Sequence, residues 1–212
     1  MRFSRSPAFE VMDLGRADYD SVNDLQQRLI AEIADGAPDR LLLAEFDPVI
    51  TIGRGGGAPA QYAHLGVPVR EISRGGKATF HGPGQIVAYP LLRLEAEARD
   101  LHAYLHALEE ALIGTMNDFG LAGARDPRNT GCWIGGRKVA SIGVAVRKWV
   151  TWHGLALNVT TDLDWFRRFD PCGLDPDAMT SMAAELATAD RPAPSLEQVK
   201  NSLKQHFKQV LH

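Results

Sequence analysis

The chain has 212 residues, of which 45% are hydrophobic and 23% charged, with a formal net charge of -3 at pH 7. That length can bury a full core, and no Pro/Gly/Ser linker divides it, so one domain over residues 1–212 is expected. The charge balance argues against a broad basic face for nucleic acid, and no apolar run approaches the roughly 20 residues of a membrane span.

The opening Met1-Arg2-Phe3-Ser4-Arg5-Ser6-Pro7 lacks the apolar centre of a secretory signal, so a cytoplasmic location is expected, with Cys132 and Cys172 as free thiols. From Asp18 to Ile33, the residues Val22, Leu25, Leu29 and Ile33 recur at helical spacing. Gly36-Ala37-Pro38-Asp39 breaks that helix, and two strand-like runs follow, Leu41 to Phe46 and Val49 to Ile52. The second ends in Gly53-Arg54-Gly55-Gly56-Gly57. A dinucleotide fingerprint fails there, because Ala58 and Pro59 follow with no helical pattern.

Residues Val67 to Ile72 alternate as a strand, and Ile86 to Pro90 reads as a short buried strand. Between them runs Arg74-Gly75-Gly76-Lys77-Ala78-Thr79-Phe80-His81-Gly82-Pro83-Gly84-Gln85, which reads as a binding loop. Its glycines let backbone N–H groups approach a bound group closely, and Arg74, Lys77 and His81 add charged or titratable chemistry. It is no Walker loop, since Ala78 stands where Ser or Thr is required.

Ala98 to Phe119 forms a second amphipathic helix, with Leu101, Tyr104, Leu105, Leu108, Leu112 and Ile113 on its apolar face. His102, His106, Glu109 and Glu110 on the other face have a spacing that could hold a metal. With no further ligand at matched spacing they read as a solvated face, and no metal or cofactor is expected. Gly120 to Gly131 is a loop, and Gly135-Gly136-Arg137-Lys138 is a tight turn opening a strand from Val139 to Val146. Trp149 to Val159 reads as its antiparallel neighbour, where Gly154 signals a bulge or a close backbone approach. Asp170-Pro171-Cys172-Gly173-Leu174 is a turn. A short helix from Thr180 to Ala187 follows, then a longer one opened by the capping-box spacing of Ser195 and Gln198, with Leu196, Val199, Leu203, Phe207 and Val210 inward.

Either cysteine could serve as a nucleophile, given a partner that stabilises its thiolate. Cys132 beside Trp133 has the surroundings of a packing residue, whereas Cys172 sits in a rigid Pro-Cys-Gly turn suited to presenting a side chain. Lys138, His81 and His153 are the candidate partners, each near a strand end.

Four segments in order resemble the octanoyltransferase family of lipoate biosynthesis. They are Arg74-Gly75-Gly76 with Thr79-Phe80-His81-Gly82-Pro83-Gly84-Gln85, then Lys138-Val139-Ala140-Ser141-Ile142-Gly143, then His153-Gly154-Leu155-Ala156-Leu157-Asn158, and Pro171-Cys172-Gly173. Phe80, where many members carry Tyr, and Phe169-Asp170 before the cysteine turn are departures. The resemblance implies an α/β fold, a mixed sheet flanked by helices, like the catalytic domain of biotin and lipoate protein ligases. It implies transfer of an octanoyl group from octanoyl-acyl carrier protein to a lysine of lipoyl domains of 2-oxoacid dehydrogenase complexes and of the glycine cleavage H protein. Cys172 would carry the acyl thioester and Lys138 would lower its pKa and handle protons. Arg74, Gly75, Gly76, Lys77, Ala78, Thr79, Phe80 and His81, with Ser141, Ile142, Gly143, Gly154, Leu155 and Ala156, would bind the acyl group. The rivals are an ATP-dependent lipoate or biotin ligase on the same fold, which has no need of Cys172, an amidotransferase moving octanoyl between two protein lysines, which would keep a cysteine, and a non-catalytic acyl-binding module, which predicts binding without a covalent adduct.

Overall fold

A computed structural model describes residues 3, 9–169 and 173–211; Asp170, Pro171 and Cys172 lie outside the described residues. The strands are β1 (Glu10–Ala17), β2 (Arg40–Phe46), β3 (Val49–Ile52), β4 (Val69–Glu71), β5 (Ala78–His81), β6 (Gln85–Leu91), β7 (Gly123–Ala124), β8 (Gly131–Ile134), β9 (Arg137–Arg147) and β10 (Val150–Asn158). The α-helices are α1 (Tyr19–Ala34), α2 (Leu101–Asp118), α3 (Met182–Ala187) and α4 (Leu196–Leu211). Seven strands form one sheet in the order β1-β2-β6-β10-β9-β8-β7, and β4-β3-β5 form a smaller one. Both are mixed: β1 runs parallel to β2 and β4 to β3, while the other pairings are antiparallel.

Alternation along β2 assigns the two faces of the large sheet. Leu42 and Ala44 face α1, whose Val22, Leu29, Ile30 and Ile33 cover them. Leu41 and Leu43 face the opposite layer, where Tyr104, Leu108 and Met116 of α2 pack with Val199, Leu203 and Phe207 of α4. Burying each such side chain contributes roughly 1.5–3 kcal/mol. Helix α1 starts at its aspartate cap, where the Asp18 carboxylate accepts from Ser21 N at 2.8 Å, worth about 1 kcal/mol. The capping box at α4 is reciprocal: Gln198 N donates to Ser195 Oγ at 3.2 Å and Ser195 N to Gln198 Oε1 at 2.9 Å. Among the described residues no helix is long and apolar enough to cross a membrane.

The short strands β7 and β8 fall in or beside the Gly120–Gly131 stretch read as a loop, and three further elements depart from the sequence reading. Strand β1 is an edge strand, mostly exposed and interrupted by a register shift between Asp13 and Arg16, so its period is blurred. Strand β5 lies inside the glycine-rich stretch read as loop; its Ala78, Thr79, Phe80 and His81 pair with Ile52, Thr51, Ile50 and Val49. On α2, Glu109 is buried rather than solvated: it accepts from Arg125 Nε at 3.0 Å and from Gly131 N at 3.1 Å, tying the helix to the start of β8. His102, His106 and Glu110 are exposed as expected, and no group of three potential metal ligands occurs among the described residues.

The small sheet has its own core, in which Ile50, Ile52, Ala78 and Phe80 meet Tyr62, Phe166 and Met179. It is built by residues 47–84, between β2 and β6, which are hydrogen-bonded neighbours in the large sheet. The functional cavity opens where the two sheets meet.

Candidate active site

A cavity of about 220 Å³ is walled on one side by β9 and β10 of the large sheet and on the other by β5 and the connection leading to it. Of the residues singled out from sequence, Arg74, Gly76, Lys77, Thr79, His81, Lys138, Ser141, Ile142, Gly143, Gly154, Leu155 and Ala156 line it. Gly75, Ala78 and Phe80 do not. Successive side chains of β5 alternate, so Thr79 and His81 point into the cavity while Ala78 and Phe80 point into the small core, with Phe80 stacked on Trp165 at 4.8 Å. Gly75 lies just behind the wall, its N–H donating to Val144 O at 3.1 Å. Cys172 falls outside the described residues, but its neighbour Gly173 comes close to Lys77: a Cβ at Gly173 would stand 2.8 Å from Lys77 Nζ.

Two glycines keep the sheet thin where it forms the wall. Gly143 and Gly154 are directly paired across β9 and β10. A Cβ on Gly143 would meet Arg74 Cδ at 2.8 Å, and one on Gly154 would meet the backbone oxygen of Ala88 at 2.2 Å. The close approach expected at Gly154 is thus present. Arg74 fits against Gly143 and reaches back to β3, donating from Nη2 to Thr51 O at 2.8 Å and from Nη1 to Gly75 O at 2.9 Å.

Lys138 opens β9 and is 1% exposed, an unusual place for an ammonium. Its Nζ donates to Asn129 Oδ1 and lies 5.7 Å from the centroid of the Trp133 ring. The backbone of Lys138 accepts from Thr180 N at 2.9 Å, which fastens the start of β9 to the segment that follows the cysteine turn. Arg137 Nη2 donates to Glu185 Oε2 at 2.8 Å, and Thr180 Oγ1 also donates to Glu185, completing that joint.

The histidines in the cavity are neutral. Burial pushes the His81 pKa down to about 4, with Arg74 adding to the fall and Gln85 opposing it. His153 is pushed down to about 3, by burial and then by Arg74 and His81. Neither ring nitrogen of His153 has a hydrogen-bond partner among the described residues, and its φ of 56° is in the left-handed region. Burial also raises the Tyr19 and Tyr89 phenols above their ordinary range, so both stay protonated. Cys132 is fully buried in the core, away from the cavity, and burial pushes its thiol up to about 11. It is a packing residue with no thiolate at neutral pH.

Residues 18–208 match the family model of the lipoyl protein ligase A/B catalytic domain. Among curated proteins, an octanoyltransferase of Geobacter metallireducens is 47% identical, the match covering 93% of this chain and 91% of that protein. This chain belongs to the octanoyltransferase family. Another member, from Solibacter usitatus, is 44% identical, covering 93% of this chain and 90% of that protein. Among solved structures, lipoate-protein ligase A bound with ATP superposes with a TM-score of 0.79 at 16% identity, covering 97% of this chain and 86% of that one. Biotin protein ligase from Aquifex aeolicus gives 0.57 at 12% identity, covering 96% and 69%. At those identities the structures speak for the shared fold.

The octanoyltransferase fold also brings to the cavity residues that the sequence reading passed over: Tyr19, Ile72, Val87, Tyr89 and Asn129. Tyr19 follows the α1 cap and Asn129 stands in the loop before β8, positions marked by no motif. An amide in a polar loop was the only available signal for Asn129.

Proposed function

We propose that this octanoyltransferase family member moves an octanoyl group from octanoyl-acyl carrier protein to a specific lysine of lipoyl domains, through a thioester on Cys172. The observation that carries the reading is Lys138, a fully buried lysine at the wall of a cavity of about 220 Å³, its backbone hydrogen-bonded to Thr180, eight residues after Cys172 in the chain. In the first step the Cys172 thiolate, paired with protonated Lys138, attacks the carrier thioester; a new carbon–sulfur bond forms, the carbon–sulfur bond to the carrier breaks, and the leaving carrier thiolate takes its proton from Lys138, which is left neutral. In the second, the acceptor amine attacks, an amide bond forms, and Cys172 leaves as thiolate while the amine loses a proton. Lys138 is the proton acceptor for that amine and the electrostatic partner of the thiolate.

The roles of the other residues follow from their places. Ile142, Leu155 and Ala156 supply apolar wall for the chain, and Ser141, Thr79 and the backbone at Gly76 lie within the same cavity. The natural donor and acceptors, including the glycine cleavage H protein, and the cytoplasmic setting belong to this proposal, as does the unity of residues 1–212 as one catalytic domain.

The test is intact-protein mass spectrometry after incubation with octanoyl-acyl carrier protein, without ATP or acceptor. An octanoyl-sized gain, labile to hydroxylamine and absent from Cys172→Ser, is expected. A folded, reduced protein that gains no mass refutes the covalent scheme.

A further inference from the structure

We infer that His81 is a positioning residue and not an acid or base: it is the central link of a one-way hydrogen-bond chain that joins Arg74 at the cavity to Thr180 and so to the backbone of Lys138. The direction follows from groups that cannot reverse. A guanidinium only donates, and Arg74 Nη2 donates to Thr51 Oγ1 at 3.1 Å. The Thr51 hydroxyl hydrogen is then free to point at His81 Nε2, 3.3 Å away.

At the other end a peptide carbonyl only accepts. Asn158 Nδ2 donates to Thr180 O at 3.0 Å, which turns Asn158 Oδ1 toward Gln85. Gln85 Nε2 donates to that oxygen at 2.9 Å and to Phe80 O at 3.2 Å. Its Oε1 is therefore the atom facing His81 Nδ1 at 2.8 Å, and Nδ1 must carry the hydrogen. The Thr180 end dictates the tautomer, with the lone pair on Nε2, and the Thr51 hydroxyl at the Arg74 end is free to donate to it.

Thr51, His81, Gln85, Asn158 and Thr180 are all buried, so water does not compete for these groups. A second proton on Nε2 would oblige the Thr51 hydroxyl to turn its hydrogen away and would place a positive charge next to the Arg74 cation. The remaining titratable neighbours give it no counter-charge: Tyr19 stacks on the ring at 6.2 Å as a neutral phenol, and His153 is neutral. The low pKa of His81 agrees with this arrangement.

The chain crosses from the small sheet through β6 and β10 to the residue that holds Lys138 O. Its role is to fix the acyl-binding connection against the lysine. That role rests on the reading of Lys138 and Cys172 given above, whereas the tautomer does not.

Long-range proton–nitrogen NMR of the imidazoles of the full chain tests it. Expected in wild type is a neutral His81 with its proton on Nδ1 from pH 8 to pH 5.5. In Gln85→Glu, a carboxylate beside Nδ1 and the lost donor to Asn158 should raise the His81 midpoint by more than one pH unit. The pH profile of Cys172 alkylation should shift with it, and kcat fall about tenfold with KM within threefold. A wild-type proton on Nε2, a wild-type midpoint between pH 6 and 8, or a folded Gln85→Glu with unchanged alkylation profile and kcat overturns the inference. Absence of any acyl adduct on Cys172 would instead sink the transferase reading and leave the tautomer result standing.

Discussion

Lys138, the second residue of β9, donates from Nζ to Asn129 Oδ1, a side chain from the loop preceding the neighbouring strand. A lysine nitrogen placed in a buried wall needs its hydrogen bonds supplied by the protein, and the Asn129 amide helps to aim it. Asn129→Ala is therefore expected to lower kcat for octanoyl transfer about tenfold, and Lys138→Met about 100-fold or more, the usual scale for losing a general base. Single-turnover release of octanoyl from the isolated acyl-enzyme to a lipoyl domain reads both. Lys138→Met releasing the acyl group at wild-type speed would remove the lysine from the mechanism.

The two cysteines should behave differently toward alkylation. With its pKa at about 11, Cys132 is protonated and sealed in the core. One equivalent of iodoacetamide at pH 7 should label Cys172 alone, and Cys132→Ala should transfer octanoyl at close to the wild-type rate while losing about 1 kcal/mol of stability to the small cavity left behind. Peptide mapping of the labelled protein and urea unfolding of the variant check these outcomes.

Acid should weaken the fold through the buried histidines. Their folded pKa values, about 4 for His81 and about 3 for His153, lie below the ordinary value of 6.5, so the unfolded chain binds protons first. Their contribution is present above about pH 6.5 and is lost as pH falls toward those values. Between pH 7.5 and pH 5 each histidine removes on the order of 2 kcal/mol. Urea midpoints should drop over that window in wild type and drop less in His153→Phe; equal slopes in the two proteins would refute the assignment.

The paired glycines of the wall predict unequal substitutions. At Gly143 the added methyl meets the Arg74 side chain at Cδ, 2.8 Å away, with the Gly75 backbone oxygen at 3.3 Å, whereas at Gly154 it meets the Ala88 backbone oxygen at 2.2 Å. Gly143→Ala should fold and raise KM for the octanoyl donor by displacing Arg74. Gly154→Ala should cost about 2 kcal/mol or more, since strand backbone must move. Thermal unfolding beside steady-state kinetics separates the two effects.

What could be read in the sequence was whatever repeats with a regular period or sits in an uninterrupted motif. The faces of α1, α2 and α4 were legible because Val22, Leu29 and Ile33, or Leu203 and Phe207, follow the helical repeat. The Arg74 and Ser141 stretches were legible as motifs, and the cavity contains most of them. Strand β5 was hidden because its four residues are flanked by glycines that mimic a loop, and β1 because an edge strand with a register shift buries little. Asn129 and Tyr19 could not be found: each matters through what it faces across the fold, and a linear pattern contains nothing about that. Glu109 misled for the same reason, since its partners Arg125 and Gly131 come from beyond the helix.

Strands β2 and β6 are adjacent and antiparallel, the relationship of the two arms of a hairpin. Residues 47–84, the whole of the smaller sheet with its connections, are then in topological terms the tip of that hairpin, enlarged and closed by a core it shares with Phe166 and Met179. A tip is the part of a hairpin that tolerates insertion and rewriting, because the ladder beneath it is held by other rungs. Thr79 and His81 on one side of the cavity thus ride on this excursion, whereas Lys138, Ser141 and Leu155 belong to the strands of the large sheet. The shape of the cavity can therefore be edited from the excursion while the strand that holds Lys138 keeps its place in the framework.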